Sequence, residues 1–356
     1  MKICVVVNKF VRGMGITEYL YGLCNELSKK HDLILYAPVI SGIDAKYARS
    51  IKESRLPQIK YFLPYSTKRL PKFDVVISNY PTIAAVKTGA KIAKKQKIPH
   101  IIIDYGIAEE THFKNLRARI AHWLINRSMY SHYSKADKVL SISEFLRSYV
   151  RKIGLDSEVI WGGIKCSEFQ EKYETGILEK LGVKEDGFAF FVGRMSPHKG
   201  VHLVVEALNK IGFPIIFVVD GGHSIGDYAE EVKRKGGKKL ILTDVLKYTE
   251  RNELYQKCMF YVTGSQWEGL NLTLLEAQAS GKSVIAFDLC AHPEVVGPKS
   301  GFLVKDTKEM AAKMKKLIED KKLRQEMGKE GKKFAKKFDW PIIAKNVEKD
   351  IAKVMK

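Results

Sequence analysis

The sequence predicts an α/β protein made of two doubly wound parallel-sheet halves. Apolar, β-branched runs of four to six residues alternate with helical patterns along most of the chain. Those runs lack the polar alternation of a sheet with one wet face, as expected for strands covered on both sides. The pattern breaks at Trp161-Gly162-Gly163 and then restarts. A length of 356 residues suits two domains, and 45% apolar content excludes a disordered chain.

In chain order, Met1–Val7 reads as a strand, Asn8–Gly15 as a loop, and the following residues as a helix to about Ser28. Leu33–Tyr36, Asp74–Ser78 and His100–Ile103 are the next strands. After the break come strand Phe188–Val192, a loop to Gly200 and helix Val201–Lys210. Ile215–Val219, Leu240–Leu242, Phe260–Val262 and Ser283–Phe287 follow as strands, with a helix over Leu270–Ser280. A Lys-rich helical stretch covers Lys308–Phe338, and Asp339-Trp340-Pro341 breaks the chain before a last helix. The expected division is residues 1–165, residues 166–338, and a terminal helix over residues 339–356.

Charge is the unusual quantity. Lys and Arg number 61 against 40 Asp and Glu, a net of +21. Residues 1–165 hold 28 basic and 13 acidic side chains, and the rest hold 33 and 27. The excess is regional, and it speaks to partners rather than to fold. Cys4, Cys24, Cys166, Cys258 and Cys290 are scattered with no CxxC pair, which points away from a zinc cluster or a disulfide framework and toward a reducing compartment. No apolar run approaches the roughly 20 residues of a membrane span, and the N-terminal run is too short for a signal peptide. The expectation is a cytoplasmic protein, at most peripheral on the cytoplasmic face of a membrane.

Two nucleotide-binding motifs fail on inspection. Gly13-Met14-Gly15 follows a strand and opens a helix, but the third glycine of GxGxxG falls at Glu18. What remains is a tight turn that lets backbone approach a ligand. Gly281-Lys282-Ser283 resembles the end of a P-loop, yet it lies between a helix and the next strand, the wrong order.

The informative segment runs from Phe260 to Ala277. A strand ends near Val262, a loop carries Glu268, and a helix starting near Leu270 carries Glu276. Backbone N–H groups at that helix start form an anion site, and Gly269 leaves them unobstructed. Carboxylates beside a phosphate site suit neutral hydroxyls, such as those of a ribose and a sugar. A second segment, Phe190 to Gly200, is again strand, glycine loop and helix. Its Arg194 and Lys199 supply a planar fork and a mobile point charge, suited to a leaving group that gains charge. Ordinary surface charge is the competing reading of these two cations, and a solvated carboxylate that of the two glutamates.

Together these segments resemble the retaining GT-B glycosyltransferases of family 4 (glycosyl transferases group 1). The resemblance covers nearly the whole chain. It rests on the E-x7-E pair Glu268 and Glu276, Gly193-Arg194 with Lys199-Gly200, and Ala136-Asp137 leading into Ser141–Phe145. Pro293-Glu294-Val295-Val296, Gly301–Val304 and Asp339-Trp340 add to it. It implies two Rossmann-like domains facing a central cleft, and a hexosyltransferase-like, retaining, metal-independent enzyme. The nucleotide-sugar would be a co-substrate, with no cofactor. Glu276 would hold the ribose hydroxyls and Glu268 the transferring sugar. Arg194 and Lys199 would stabilise the departing diphosphate, helped by Gly193 and by amides over Gly269, Leu270 and Asn271. Gly13 and Gly15 would close over the diphosphate from the first domain, and the terminal helix would cross back onto that domain.

The chain departs from the family pattern at three places. Asn271 stands where glycine is common, and Gly162-Gly163-Ile164-Lys165 replaces an Asn-Gly-Val/Ile-Asp element. Asp104-Tyr105 stands where many relatives have a histidine, which makes Asp104 a candidate sugar or acceptor contact; helix capping is its plainer reading. His112 follows further on.

The basic first domain mixes cations with aromatics. Lys46 to Lys72 carries eight basic residues against Glu53 alone, among Tyr47, Tyr61, Phe62 and Tyr65. Lys114 to Lys135 carries Arg117, Arg119 and Arg127 with Trp123, Tyr130 and Tyr133, and no acid. Such a surface suits an anionic membrane, and hence an acceptor that is a membrane lipid or lipid-linked glycan, with His112, Arg117, Arg119 and Trp123 on the acceptor or membrane side. A solvated lysine-rich face is the competing reading. A nucleotide-sugar 2-epimerase and a nucleic-acid-binding protein are the rival functions. The first is opposed by the E-x7-E, Arg194 and Lys199 set, and the second rests on charge alone.

Overall fold

The computed structural model describes residues 1–11, 15–53, 62–80, 82–106, 116, 120, 127, 130–222 and 226–356. The chain forms two compact units, Met1–Gly163 with Trp340–Lys356, and Ile164–Asp339.

In the first unit the elements run β1 (Lys2–Val6), β2 (Lys9–Val11), α1 (Gly15–Ser28), β3 (Asp32–Ala37), β4 (Val39–Ser41), β5 (Ala48–Ser50) and β6 (Val75–Tyr80). They continue with α2 (Ile83–Gln96), β7 (His100–Asp104), β8 (Lys138–Ser141), α3 (Glu144–Lys152) and β9 (Glu158–Val159). Seven strands form one parallel sheet in the order β5-β3-β1-β6-β7-β8-β9. Val5 pairs with Leu35 on one side and Ile77 on the other. Strand order therefore reverses about β1, leaving a topological switch point between β1 and β6 at their C-terminal ends, where doubly wound folds bind ligands. Helix α1 buries Tyr19, Leu20, Leu23, Cys24 and Leu27 against this sheet, a stripe at helical spacing.

The second unit repeats the plan. Its elements are α4 (Ile177–Leu181), β10 (Phe188–Val192), α5 (Val201–Lys210), β11 (Ile216–Asp220), α6 (Tyr228–Gly236), β12 (Leu240–Thr243), α7 (Tyr248–Lys257) and β13 (Phe260–Val262). Then come α8 (Leu272–Ala279), β14 (Val284–Phe287), α9 (His292–Val295), β15 (Gly301–Val304), α10 (Thr307–Glu319) and α11 (Lys321–Ala335). The parallel order β12-β11-β10-β13-β14-β15 puts the switch point between β10 and β13. Ala189, Phe191, Phe217, Val219, Phe260 and Ile285 are buried in one core with Val204, Leu208, Met310 and Met314.

The last helix, α12 (Trp340–Val354), packs within the first unit. The Trp340 ring meets Tyr19 edge-on at 5.1 Å. It fills a slot that exists because Gly22 and Gly163 carry no side chain; a Cβ at either would overlap the indole. Further along, Lys138 bridges Glu158 at 2.6 Å and the buried Asp350 at 3.1 Å, tying α12 to the edge strands.

Several expectations are corrected. The Asn8–Gly15 loop contains β2, which pairs with β4. The helix expected from Leu270 begins at Leu272. Lys308–Phe338 is two helices, because Asp320 stops one and caps the next, accepting the Leu323 N–H at 2.8 Å. Strands β4, β5, β8, β9 and β15 were not expected as strands. Among the described residues no helix is long and apolar enough to cross a membrane.

Candidate functional site

The second unit gathers most of the expected residues at one edge of its sheet. Strands β10 and β13 are parallel neighbours, so the loops leaving their C-terminal ends emerge side by side. These loops touch backbone to backbone. Gln266 N–H donates to the His198 carbonyl at 2.7 Å. Gly200, with φ +65°, lies against Gly264 so closely that a Cβ on either would overlap the other's carbonyl.

That approach brings the chemistry together. Lys199 Nζ donates to Glu268 Oε1 at 2.7 Å, and the two side chains are only 21% and 13% exposed. Burial pushes the Glu268 carboxyl up, but the Lys199 charge and hydrogen bond, with help from His292 and Ser265, outweigh it and hold the group below the usual carboxylate value. Arg194 follows Gly193 at the end of β10; it is exposed and makes no ion pair among the described residues. The pKa of His198, between the cations, is lowered by partial desolvation and by the charges of Lys199 and Arg194, against the pull of Glu268.

Glu276 lies within α8, and the Tyr255 hydroxyl donates to its Oε2 at 2.8 Å. Tyr255 is fully buried on α7, edge-on to Phe190 at 5.1 Å, so the donor of that bond is fixed in place. Beside it, Arg251 Nε donates to the buried Asp220 at 2.8 Å. Sequence reasoning missed Tyr255, Arg251 and Asp220, whose partners depend on which strands become neighbours.

The start of α8 is open. Its N-cap Asn271 makes no side-chain cap bond. Among the described residues the N–H groups of Leu270, Leu272 and Thr273 have no acceptor, so the helix dipole and free donors point outward together. Gly269 and Asn271 are buried and Leu270 half-buried at this end. A phosphate-sized anion fits such a terminus.

The remaining candidates belong to the first unit. Gly15 opens α1 with open space around it, so packing does not require a glycine there. Asp104 ends β7 and is fully enclosed, with Oδ1 accepting the Gly106 N–H at 2.9 Å and Oδ2 unpartnered among the described residues. Burial drives its pKa up to about 6, against the pull of the Gly106 amide and the Tyr133 hydroxyl. Gly13, His112, Arg117, Arg119 and Trp123 lie outside the described residues. A cavity of about 80 Å³ sits at the β1/β6 switch point, lined by Asn8, Lys9, Thr17, Asn79, Tyr80 and Thr82. Asn79 was not singled out from the sequence; it is 3% exposed, and among the described residues its Oδ1 has no partner. Among the described residues no three His, Cys, Asp or Glu side chains cluster as a metal site.

Comparison with known proteins matches residues 14–168 to the Glycosyltransferase Family 4 model and residues 175–334 to the Glycosyl transferases group 1 model. An uncharacterised glycosyltransferase of Methanocaldococcus jannaschii is 26% identical over 268 residues, 73% of this chain and 70% of the relative. The N,N'-diacetylbacillosaminyl-diphospho-undecaprenol alpha-1,3-N-acetylgalactosaminyltransferase of Campylobacter jejuni is 24% identical over 75% of this chain and 74% of its own. Among solved structures, the Anabaena protein HepE in complex with UDP and glucose superposes with a TM-score of 0.79 at 16% identity, over 99% of this chain and 100% of that one. Sucrose-phosphate synthase from Thermosynechococcus elongatus superposes with a TM-score of 0.78 at 16% identity, over 99% and 98% of the two chains.

Proposed function

Because the chain is a glycosyltransferase with the GT-B fold, we propose that it moves a sugar from a nucleoside diphosphate to an acceptor hydroxyl with retention at the anomeric carbon and without a divalent metal. The observation that carries this reading is the joining of the β10 and β13 loops. It sets Lys199, Glu268 and the open start of α8 together, with Arg194 on the same sheet edge and Glu276 on the same helix.

In this reading the donor diphosphate takes the α8 amides and the Arg194 and Lys199 cations. As the bond from the anomeric carbon to the β-phosphate breaks, its electron pair leaves with the diphosphate, and these donors neutralise the growing charge. They supply what a divalent cation would otherwise supply. Glu276 accepts hydrogen bonds from the ribose hydroxyls and Glu268 from the sugar. The acceptor oxygen bonds to the anomeric carbon from the face the phosphate leaves, and its proton passes to a phosphate oxygen. Asp104 is enclosed, so in this reading it shapes the end of β7 rather than touching sugar.

The acceptor belongs to the first unit. The buried Asn79 Oδ1, unpartnered among the described residues, lies beside the switch-point cavity and suits a hydroxyl donor, and Lys9 on the same cavity suits an anion. The Campylobacter jejuni relative is named for an undecaprenol diphosphate substrate. That name and the regional basic charge support a membrane-borne lipid or lipid-linked glycan as acceptor, met at the cytoplasmic face, with His112, Arg117, Arg119 and Trp123 on the acceptor side.

The experiment is a reaction with a panel of nucleotide-sugars and lipid-linked acceptors, the product examined by proton NMR. The expected product keeps the donor's anomeric configuration, and EDTA leaves the rate unchanged. An inverted product, or activity lost to EDTA and restored by magnesium, overturns the corresponding part of the reading.

A further inference from the structure

Asparagine is among the best helix N-caps, because its side-chain oxygen accepts an N–H of the first turn. Asn271 occupies the N-cap of α8 and does not do this. Its side chain is held elsewhere at both ends. Asn271 Oδ1 accepts the Thr273 hydroxyl at 2.6 Å, and that hydroxyl oxygen lies 2.7 Å from the Tyr261 hydroxyl. Asn271 Nδ2 lies 3.2 Å from His292 Nε2.

The other face of His292 settles which atom donates. Its Nδ1 is 2.9 Å from the Phe287 carbonyl, which can only accept, so Nδ1 carries the proton. His292 is fully buried, and burial lowers its pKa from the ordinary imidazole value, which favours the neutral ring. Nε2 is then a lone-pair acceptor and fixes Asn271 Nδ2 toward itself, which leaves Oδ1 bonded to the Thr273 hydroxyl and to no α8 amide.

We propose that His292 is a positioning residue for the donor site: by holding Asn271 off the first turn of α8, it keeps the amides of Leu272 and Thr273 free for the donor diphosphate. The proposal rests on the reading of that helix start as the diphosphate site. An untethered asparagine would cap the helix and compete with the ligand, whereas a tethered one does not. Thr273 holds the opposite end of the same side chain.

The test is a double-mutant cycle read by calorimetry, with uridine, guanosine, adenosine, cytidine and thymidine diphosphates as probes. With Asn271 present, His292→Ala is expected to weaken nucleoside diphosphate binding about fivefold, the fold-change equivalent to a typical side-chain cap. In the Asn271→Gly background the same His292→Ala change is expected to alter affinity by less than about twofold, since no side chain remains to compete. Thr273→Val, which removes the other tether at nearly constant volume, is expected to repeat the pattern and covers the case of a poorly folding His292 variant. Equal loss in both backgrounds, or no loss in either, overturns the proposal. If instead no diphosphate binds the wild-type chain, or Arg194→Ala and Glu276→Ala leave its affinity unchanged, the reading of the donor site falls and this inference with it.

Discussion

Lys199 and Glu268 satisfy each other across 2.7 Å; under the proposed function a donor draws the ammonium to phosphate and the carboxylate to sugar hydroxyls. A bare nucleoside diphosphate offers Glu268 no hydroxyl from a sugar, so it leaves a largely buried carboxylate poorly paired. Glu268→Gln is therefore expected to tighten bare diphosphate binding by roughly fivefold while lowering turnover, as read by calorimetry and an initial-rate assay. The folded-state pKa of Glu268 lies below its ordinary value, so its contribution to stability is present at neutral pH and is lost as pH falls through that lowered value. Asp104 behaves oppositely. Its folded pKa of about 6 exceeds the ordinary 3.8, so its favourable contribution is full below about 4 and is lost as pH rises through 6. Asp104→Asn is expected to stabilise the protein at pH 7.5 by up to about 3 kcal/mol and to change little at pH 4, measured by denaturant titration. The acids and cations proposed for the donor site could be picked out from the sequence because strand, glycine loop and helix each leave a local trace. The Tyr255 bond to Glu276 and the His292 tether were not, since each joins residues that only the packing of α7 and α9 against α8 makes neighbours.

Elements buried on both faces were the easiest to read. Strand β10, Phe188–Val192, has the expected bounds, and β13 agrees at both ends, because an unbroken apolar run between turn residues has few other solutions. Edge elements escaped: Ala48–Ser50 and Glu158–Val159 are two or three residues long, half-polar, and exist because a neighbouring strand offers them hydrogen bonds. The α10–α11 break at Asp320 was hidden by lysine-rich helical periodicity on both sides. At the proposed donor site the decisive element contact is the glycine crossing, Gly200 against Gly264, which is also invisible in sequence because its cause is the neighbour. A methyl group at Gly264 would force the β10 and β13 loops apart. Gly264→Ala is expected to cost about 2 kcal/mol of stability. It should also weaken donor binding, since the Lys199–Glu268 and His198–Gln266 contacts both span that crossing. Unchanged donor affinity in a folded Gly264→Ala protein would show that the two loops bind ligand independently.

At the scale of the whole molecule the two units differ in charge more than in plan. Both are doubly wound parallel sheets, and the excess of 28 basic over 13 acidic residues lies in residues 1–165. Near an anionic surface each Lys or Arg is worth about 1 kcal/mol, falling off with ionic strength. The full-length protein is expected to sediment with phosphatidylserine-containing vesicles at low salt and to be released as salt rises; equal pelleting with neutral vesicles would remove the membrane from the account. Composition located this asymmetry, and residues 107–115, 117–119 and 121–126, where most of the expected acceptor contacts fall, lie outside the described residues. The second unit carries the heavier claim. Calorimetric titration of a nucleotide-sugar panel into wild-type and Glu276→Ala proteins, both checked for fold by circular dichroism, tests it most directly. The account predicts that at least one nucleotide-sugar binds the wild-type chain and binds the variant about tenfold or more weakly; equal affinity in the two proteins would contradict it.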